Sequence, residues 1–386
     1  MMIKRWMLLV STTSGFVPAN RSLRRTTCLG SSSFDDLVGL VSSVSTCLRL
    51  EGNKDYRGVV ASDDIALDDA ILSIPLSDCL RDDESPSWLD CPDPEGWATR
   101  LAACVIDKRL GESDSRISDL WLDLLPDRHV LRSSLPIHWP EELLASCRSL
   151  ELAVDSAYFA RYDAVAQLMA SLKEVHEGYS VEAMERVCHD ALDVVQTRTC
   201  RVECDDRPLR LLAPVFDCFN HDTVPNAAFA LEGSQLVVRA TRPISRDSEV
   251  FISYGEQSTR PSWRCLLSYG FVPEDDDDDT TEVNLDGQRF EVSSTSVSED
   301  LVAWAVSDDS PVTLTPTVAV RLSKRLTEAA TDLNDLTKTI DDVESTDALS
   351  VRLEAALRSQ QQRVINTCAG GLLKWAQQQE SIPNST

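Results

Sequence analysis

Residues 214–271 hold three clusters of polar side chains that are separated by strand-like apolar segments. The clusters consist of Asp217, Asn220 and His221, then Asn226, then the tyrosine pair Tyr254 and Tyr269. Polar groups that converge between apolar strands usually line a cleft. We therefore take this stretch as the candidate functional site.

Two chemistries fit these side chains. In the first, Asp217, His221 and Asp222 form a hydrolytic metal site, because imidazole and carboxylate groups bind several divalent metals. The chain has only five histidines and none has a partner at a metal-binding spacing, so we predict no metal. In the second, Asn220 and its neighbours hold a ligand through hydrogen bonds while the two tyrosines present phenol oxygens to a reacting amine. A simple turn with a satisfied core histidine is the remaining interpretation.

The order of motifs in this stretch resembles the SET domain of the plastid rubisco large-subunit methyltransferase and its relatives. In that family D-x-x-N-H is followed by P-N, then by F-I-S-Y-G, then by L-L-x-Y-G-F. The same pieces occur here in the same order, at residues 217–221, 225–226, 251–255 and 266–271. The resemblance implies an α+β fold, namely a SET-domain β-fold with a helical insertion, followed by an all-α C-terminal substrate-binding domain.

The resemblance also divides the chain. We expect a SET domain over residues 35–273 with a helical insertion at about 84–199, an acidic linker at 274–281, and a helical substrate-binding domain over 282–386. Apolar periodicity predicts strands within 57–65 and 70–75, a hairpin at 283–292, and helices at 35–51, 97–110, 318–336 and 347–378. Glu274 and the following aspartates, through Asp279, predict an exposed loop because adjacent carboxylates repel one another.

The family pattern assigns roles to individual residues. Tyr254 is the expected catalytic residue, with its phenol oxygen orienting an amine. The residues expected to bind the cofactor S-adenosylmethionine are Tyr56, Arg57, Gly58, Arg198, Asn220, His221 and Tyr269. The residues expected to contact the substrate are Asp217, Arg198 and Tyr254. Gly58 matches the second glycine of the family's G-x-G-x-x-A segment, whereas Tyr56 stands where the first glycine is usual.

The implied activity is methylation of a protein lysine by S-adenosylmethionine. The accepting nitrogen must be neutral, because a protonated amine has no lone pair. Two alternatives stay open: methylation of a protein histidine, whose imidazole is an equally good nucleophile, and a catalytically silent SET fold that only binds a protein segment. The departures from the family pattern at Tyr56 and around Ser262 motivate the silent alternative.

Composition limits the partners. A formal net charge of −26 argues against nucleic acid and favours a protein substrate with a basic surface. Twelve cysteines without a CxxC pair predict reduced thiols rather than disulfides or a zinc site. No apolar stretch approaches the ~18 residues that a membrane helix needs, so we expect no membrane span. We expect a monomer.

The N-terminal residues 1–34 have the composition of a targeting segment. They include five basic residues and no acidic one. The segment Ser14-Gly15-Phe16-Val17-Pro18 resembles the phenylalanine-marked junction of two-part plastid presequences in algae with complex plastids. We expect a plastid location, with mitochondrion and cytoplasm as alternatives. A plastid location in turn implies a substrate such as the rubisco large subunit or fructose-bisphosphate aldolase.

Overall fold

The computed structural model of the chain describes residues 31–42, 44, 48–52, 57–93, 95–111, 115–145, 147–175, 179–204, 207–255, 261–273, 279–306, 312–335 and 348–381. These residues divide into two compact units. The first unit contains those within 21–132 and 156–254, and the second unit those within 133–155 and 255–386. Within the described ranges, no helix is both long and apolar enough to cross a bilayer.

The helices account for most of the regular structure. In chain order they are α1 (Ser31–Val41), α2 (Trp97–Leu110), α3 (Arg116–Leu124), α4 (Arg128–Ser134), α5 (Glu141–Leu144), α6 (Arg148–Val175), α7 (Val181–Arg198), α8 (Ser262–Tyr269), α9 (Glu299–Ala305), α10 (Pro316–Asp335) and α11 (Ala348–Ser381). The chain passes from one unit to the other within α4, within α6 and directly after Tyr254. The predicted helices at 97–110, 318–336 and 347–378 are confirmed as α2, α10 and α11.

The strands of the first unit are short and form several small sheets. They are β1 (Leu48–Gly52), β2 (Arg57–Ala61), β3 (Ala70–Pro75), β4 (Leu80–Arg81), β5 (Cys200–Val202), β6 (Leu209–Leu212), β7 (Asn220–His221), β8 (Ala227–Glu232), β9 (Gln235–Ala240) and β10 (Phe251–Ile252). The sheet orders are β1-β2, β3-β9-β8, β4-β6-β5 and β10-β7. All neighbouring strands are antiparallel except the parallel pair β7 and β10.

The core of the first unit forms where these small sheets meet the helices. Leu72 and Ile74 of β3 lie opposite Val238 and Leu236 of β9, and all four side chains are fully buried. Helix α2 packs against α7 in the same unit. Each fully buried aliphatic side chain contributes about 1.5–3 kcal/mol relative to an exposed one, so this core holds the short strands in place.

The alternating run at 227–239 forms the hairpin of β8 and β9. Its two-residue loop places Gly233 at φ 61, and a type II′ loop requires a positive φ at that first position. Phe229 lies opposite Val238 and Leu231 opposite Leu236. The period-two pattern therefore produced a hairpin with one face on the core.

The second unit combines helices with one hairpin. Strands β11 (Thr280–Leu285) and β12 (Gln288–Ser293) pair antiparallel around Asp286 and Gly287, both at positive φ, as the sequence predicted. Helix α10 packs along α11, with Leu322, Leu326 and Leu372 fully buried between them. A separate apolar cluster within this unit includes Trp139, Leu143, Leu266 and Leu357. In the described residues between 279 and 381, the regular structure is thus helical apart from this hairpin.

The predicted helix at 35–51 is wrong in its second half. Helix α1 ends at Val41, and Leu48–Gly52 forms strand β1 instead. Leu48 and Leu50 are buried while Arg49 between them is half-exposed. Leu50 pairs with Val59 of β2. A short Leu-Arg-Leu run satisfies both helical and strand periods, and pairing with β2 decided between them.

Two further predictions concern segments that the structure describes only in part. The predicted presequence covers residues 1–34, of which 1–30 lie outside the described residues; helix α1 starts at Ser31 and Phe34 is fully buried. The predicted exposed acidic run lies outside the described residues at 274–278, but Asp279 is only 2% exposed. The Asp279 carboxylate accepts bonds from the backbone N–H of Ser262 at 2.9 Å and from its hydroxyl at 2.6 Å. It therefore satisfies the otherwise open N-terminus of α8.

Candidate active site

The parallel pair of β7 and β10 brings two of the predicted motifs side by side. Asn220 lies opposite Phe251 and His221 opposite Ile252. Because parallel strands end at the same edge, the residues that follow Ile252 emerge beside His221. Tyr254 is one of those residues.

Asn220 joins three segments of the first unit. Its side-chain Nδ2 donates to the carbonyl oxygen of Arg57 at 2.7 Å and to Oε1 of Glu249 at 2.7 Å. Both amide hydrogens are therefore used inside the protein. The side chain ties β2 and the segment before β10 to β7.

At position 58 a side chain would have no space, whereas the backbone conformation there does not itself require glycine. The φ of Gly58 is not positive. A Cβ built at this position would overlap Oε1 of Glu249, lie 2.5 Å from its Cδ and lie 3.0 Å from Nδ2 of Asn220. Real Cβ atoms essentially never approach a neighbour that closely. The predicted site glycine therefore makes room for the Asn220–Glu249 hydrogen bond.

Asn226 holds the backbone of Glu249 and Phe251, shortly before Tyr254, through its side-chain amide. Its Oδ1 accepts from the backbone N–H of Phe251 at 2.8 Å, and its Nδ2 donates to the backbone oxygen of Glu249 at 2.9 Å. The side chain is 8% exposed. Asn226 is thus a structural residue that holds β10 in register.

Tyr254 is fixed by three contacts with the D-x-x-N-H motif. Its hydroxyl donates to the carbonyl oxygen of Phe219 at 2.6 Å. Its backbone N–H donates to Nδ1 of His221 at 3.2 Å, and the two rings stack with centroids 5.4 Å apart. Because Nδ1 of His221 accepts, a neutral imidazole here carries its proton on Nε2. The phenol oxygen is therefore held in one orientation.

A buried carboxylate with two guanidinium groups nearby forms the other part of the site. Asp217 is 6% exposed, and its Oδ2 accepts from the indole N–H of Trp121 at 3.1 Å. Burial raises the pKa of Asp217, while the nearby charges of Arg198 and Arg57 act in the opposite direction. Nη1 of Arg198 donates to the backbone oxygen of Asp217 at 2.5 Å.

Two donors of this arginine pair have no partner within the described part of the chain. They are Nε of Arg198 and Nη2 of Arg57, and both atoms are buried. A buried unsatisfied donor costs about 1–3 kcal/mol. A bound carboxylate would remove that cost, because guanidinium groups match carboxylates in charge and geometry.

The other predicted residues are placed as follows. Tyr56 lies outside the described residues. Tyr269 is the last residue of α8 in the second unit, with its ring 6.1 Å from that of Phe271. Asp217 is enclosed by protein groups, so its predicted contact with a substrate stays a prediction.

Across the residues that the structure describes, no three His, Cys, Asp or Glu side chains are arranged to hold a metal. Asp222, a ligand in the hydrolytic alternative, instead accepts from the backbone N–H of Val224 at 2.7 Å. The ten cysteines in the described ranges are free. Burial raises the pKa of the Cys218 thiol, beside Asp217, to about 12, so this thiol is a packing group.

Residues 56–255 match the SET domain as a family, which is just over half of the 386 residues. The chain belongs to the SET-domain family. The SET-domain fold predicted from the motif order is thereby confirmed. The match begins at Tyr56 and ends directly after Tyr254, and so spans the site described above.

A SET domain-containing protein 8 from Schizosaccharomyces pombe is 35% identical over 82 residues. That segment covers 21% of this chain and 19% of the relative, so the chain matches about a fifth of the relative's length.

Solved structures with the same fold include the SET domain of LSMT bound to lysine and AdoHcy, at 14% identity and a TM-score of 0.57 over 91% of each chain. The SET domain of LSMT bound to methyllysine and AdoHcy has 13% identity and a TM-score of 0.58, covering 92% of this chain and 93% of that one. Rubisco LSMT bound to AdoMet has 14% identity and a TM-score of 0.55 over 92% of each chain. At these identities the likeness establishes the fold.

Within this SET domain, the D-x-x-N-H motif is entered through a strained residue. Val215 has φ 71 and ψ −47, which is close to a γ-turn, and its side chain is fully buried. This region is disfavoured for a β-branched residue. The turn changes the direction of the chain shortly before the buried Asp217 and before Asn220, the first residue of β7. Sequence reasoning did not detect it, because valine carries no turn signal.

Sequence reasoning also missed the supporting residues of the SET site. Glu249, the Phe219 carbonyl and Trp121 hold Asn220, Tyr254 and Asp217 respectively. Residues 120–126, Leu-Trp-Leu-Asp-Leu-Leu-Pro, resemble the W-x-x-Y-L-x-x-L-P element of the rubisco methyltransferase relatives, so a sequence signal for Trp121 existed. No local pattern points to a backbone carbonyl as a partner.

Proposed function

We propose that this SET protein transfers a methyl group from S-adenosylmethionine to a lysine side chain of a protein. The observation that carries this proposal is the fixed phenol of Tyr254, which is bonded to the Phe219 carbonyl and stacked on His221. Tyr254 follows shortly after the strand pair that holds Asn220 beside Gly58. The structures of LSMT bound to AdoMet and to lysine support it, because they share the fold.

The residues present fit S-adenosylmethionine. Its carboxylate matches the buried donors of Arg198 and Arg57 that have no partner in the described part of the chain. Gly58, with no side chain, leaves room for the Glu249 carboxylate that accepts from Asn220. We infer that Arg57, Gly58, Arg198, Asn220 and His221 would hold the cofactor. When bound, it supplies an activated methyl group on a sulfonium.

Tyr254 positions the accepting amine. Its hydroxyl hydrogen is used on the Phe219 carbonyl at 2.6 Å, which leaves the oxygen as an acceptor. An amine N–H that donates to this oxygen has its lone pair directed away from the phenol. Such fixed dipoles stabilise a transition state without reorganisation, and loss of one typically costs about 10²–10³-fold in rate.

Asp217 acts on the arginines. Its carboxylate is buried against Trp121 and lies near both guanidinium groups. In its ionised form this carboxylate attracts both guanidinium groups. We therefore propose that Asp217 positions the cofactor-binding arginines.

The substrate is proposed to be a basic protein region in the plastid. The net charge of −26 disfavours acidic partners. The acid-free basic composition of residues 1–34 supports plastid import. A protein such as the rubisco large subunit or fructose-bisphosphate aldolase fits this location.

Methyl transfer tests the activity directly. The full chain is incubated with chloroplast stromal extract and S-adenosylmethionine carrying a trideuterated methyl group, and labelled peptides are located by mass spectrometry. The matched control is Tyr254→Phe, which keeps the ring stacked on His221 and removes only the hydroxyl. Label on a lysine, dependent on Tyr254, is the expected result. Label on histidine alone would replace the lysine assignment, and cofactor binding without label on any protein would favour the silent alternative.

A further inference from the structure

Helix α6 carries an exposed aromatic face in the first unit. Tyr158 is 59% exposed, Phe159 is 72% exposed and Tyr162 is 67% exposed. In a helix, residues one turn apart lie on the same side, so Tyr158 and Tyr162 lie along one face with Phe159 beside them. Clustered exposed aromatics of this kind mark binding surfaces.

The opposite face of α6 already packs on the core of its unit. Val165, Leu168 and Leu172 are buried there. Arg161 is 8% exposed, forms an ion pair with Asp193 and donates to the backbone oxygen of His189 at 2.8 Å. The aromatic face is therefore additional to what the fold of this unit requires.

The charged residues of α6 indicate which kind of partner the aromatic face would bind. Helix α6 carries the carboxylates Glu151, Asp155, Asp163 and Glu174 and the basic residues Arg148, Arg161 and Lys173. Arg148 pairs with Glu151, and Lys173 lies about three turns beyond Tyr162. The Arg161 charge is buried and neutralised by Asp193. Asp163, beside Tyr162 in sequence, is exposed. The surface thus offers aromatic rings with negative charge and no accessible cation within about two turns of them on α6.

We propose that the α6 aromatic face, defined as Tyr158, Phe159, Tyr162 and Asp163, binds an arginine- or lysine-containing segment of a protein partner. Cationic side chains stack favourably on aromatic rings and pair with carboxylates. A second copy of the chain would bring the same carboxylates and another formal charge of −26 to this surface. An anionic lipid surface would be repelled in the same way.

Fluorine NMR can observe Tyr158 and Tyr162 of this face as separate resonances. The full chain, labelled with 3-fluorotyrosine, contains six tyrosines, and Tyr158→Phe and Tyr162→Phe variants identify the two resonances. The probe is a hexa-arginine peptide, and the neutral control is a hexa-citrulline peptide of the same shape. Tyr179, 45% exposed in the same unit, is an internal control. Saturable shifts of the Tyr158 and Tyr162 resonances with hexa-arginine alone, larger than that of Tyr179, are expected.

A variant tests the contribution of the rings apart from net charge. The triple substitution Tyr158→Ser, Phe159→Ser and Tyr162→Ser leaves the charge unchanged, and its matched control is Tyr179→Ser. Two or three lost cation–π contacts predict about tenfold weaker binding of a fluorescently labelled hexa-arginine peptide in the triple variant. Equal affinity in both variants would mean that binding follows net charge only, and would overturn the proposal.

Other occupants give distinct signals. Concentration-dependent shifts of the Tyr158 and Tyr162 resonances, with a dimer in sedimentation, would assign the face to a second copy. Shifts on removal of the basic residues 1–30 would assign it to the N-terminal segment. Shifts only with phosphatidylserine vesicles would assign it to a membrane. Each of these results, or no shift with any probe, would overturn the proposal.

Discussion

Substitution of Gly58 by alanine tests the packing that organises the site. The added Cβ would overlap Oε1 of Glu249 and lie 2.5 Å from its Cδ. The carboxylate is the flexible end of a side chain, so it can turn away. It must then give up its 2.7 Å hydrogen bond from Nδ2 of Asn220. We expect Gly58→Ala to destabilise the chain through this lost bond.

The magnitude follows from the kind of bond. A hydrogen bond to a charged group contributes about 1.5–3 kcal/mol, so Gly58→Ala should lower the free energy of unfolding by about that amount. In a Glu249→Ala background the overlap is absent, and the closest remaining neighbour is Nδ2 of Asn220 at 3.0 Å. Because φ of Gly58 is not positive, alanine there restricts the unfolded chain and is expected to be neutral or to stabilise by up to about 1 kcal/mol.

A double-mutant cycle measures how much the effect of Gly58→Ala on stability depends on Glu249. The free energy of unfolding is obtained from urea titrations followed by circular dichroism for the parent, Gly58→Ala, Glu249→Ala and the double variant. The effect of Gly58→Ala should change from destabilising to neutral or stabilising when Glu249 is removed, with a coupling energy of about 1.5–3 kcal/mol. Equal destabilisation in both backgrounds would refute the idea that Gly58 makes room for Glu249.

Three further variants test neighbouring features. Tyr254→Phe should reduce methyl transfer by about 10²-fold or more while leaving S-adenosylmethionine affinity unchanged, in a rate and calorimetry comparison, because only an orienting oxygen is lost; a matching loss of affinity would contradict this role. Burial raises the pKa of Asp217 above its ordinary 3.8, so the folded state binds this proton more tightly and stability falls as pH rises from that value through the folded pKa. The asparagine of Asp217→Asn does not titrate. Urea titrations should therefore show the free energy of unfolding of this variant rising relative to that of the parent between pH 4 and pH 7. A difference that stays constant with pH would count against the raised pKa. Val215→Gly should be at least as stable as Val215→Ala in thermal unfolding, although glycine is usually the weaker residue, because only glycine relieves about 1–3 kcal/mol of strain at φ 71; the usual order would argue against strain at this turn.

The candidate site residues could be predicted from the sequence because they lie in short motifs whose members are close together in the chain. Asn220, His221 and Tyr254 lie in short ordered motifs, and the parallel pairing of β7 with β10 brings those motifs together. The hairpin at 283–292 was predicted from its Asp286-Gly287 turn, whereas the alternating apolar run at 227–239 indicated strand structure without specifying the hairpin that it forms. Long amphipathic helices such as α10 were predictable from their apolar stripe.

The remaining features depend on contacts distant in sequence. Trp121 and Asp217 are 96 positions apart, and their hydrogen bond has no sequence signature. Strand β1 replaced a predicted helix because its pairing with β2 outweighed a helical period. Asp279, expected in solvent with its acidic neighbours, is buried because the start of α8 needs an acceptor. In each case a tertiary partner, invisible to a local pattern, decided the outcome.

Calorimetric titration of S-adenosylmethionine into the full chain tests the central claim most directly. Asn220→Ala, checked by circular dichroism to be folded, removes the bonds to the Arg57 carbonyl and to Glu249, and Tyr254→Phe serves as the matched control. The account predicts saturable binding by the parent and by Tyr254→Phe, with binding lost or strongly weakened in Asn220→Ala. Absence of binding by a folded parent chain, or equal binding by all three proteins, would contradict it.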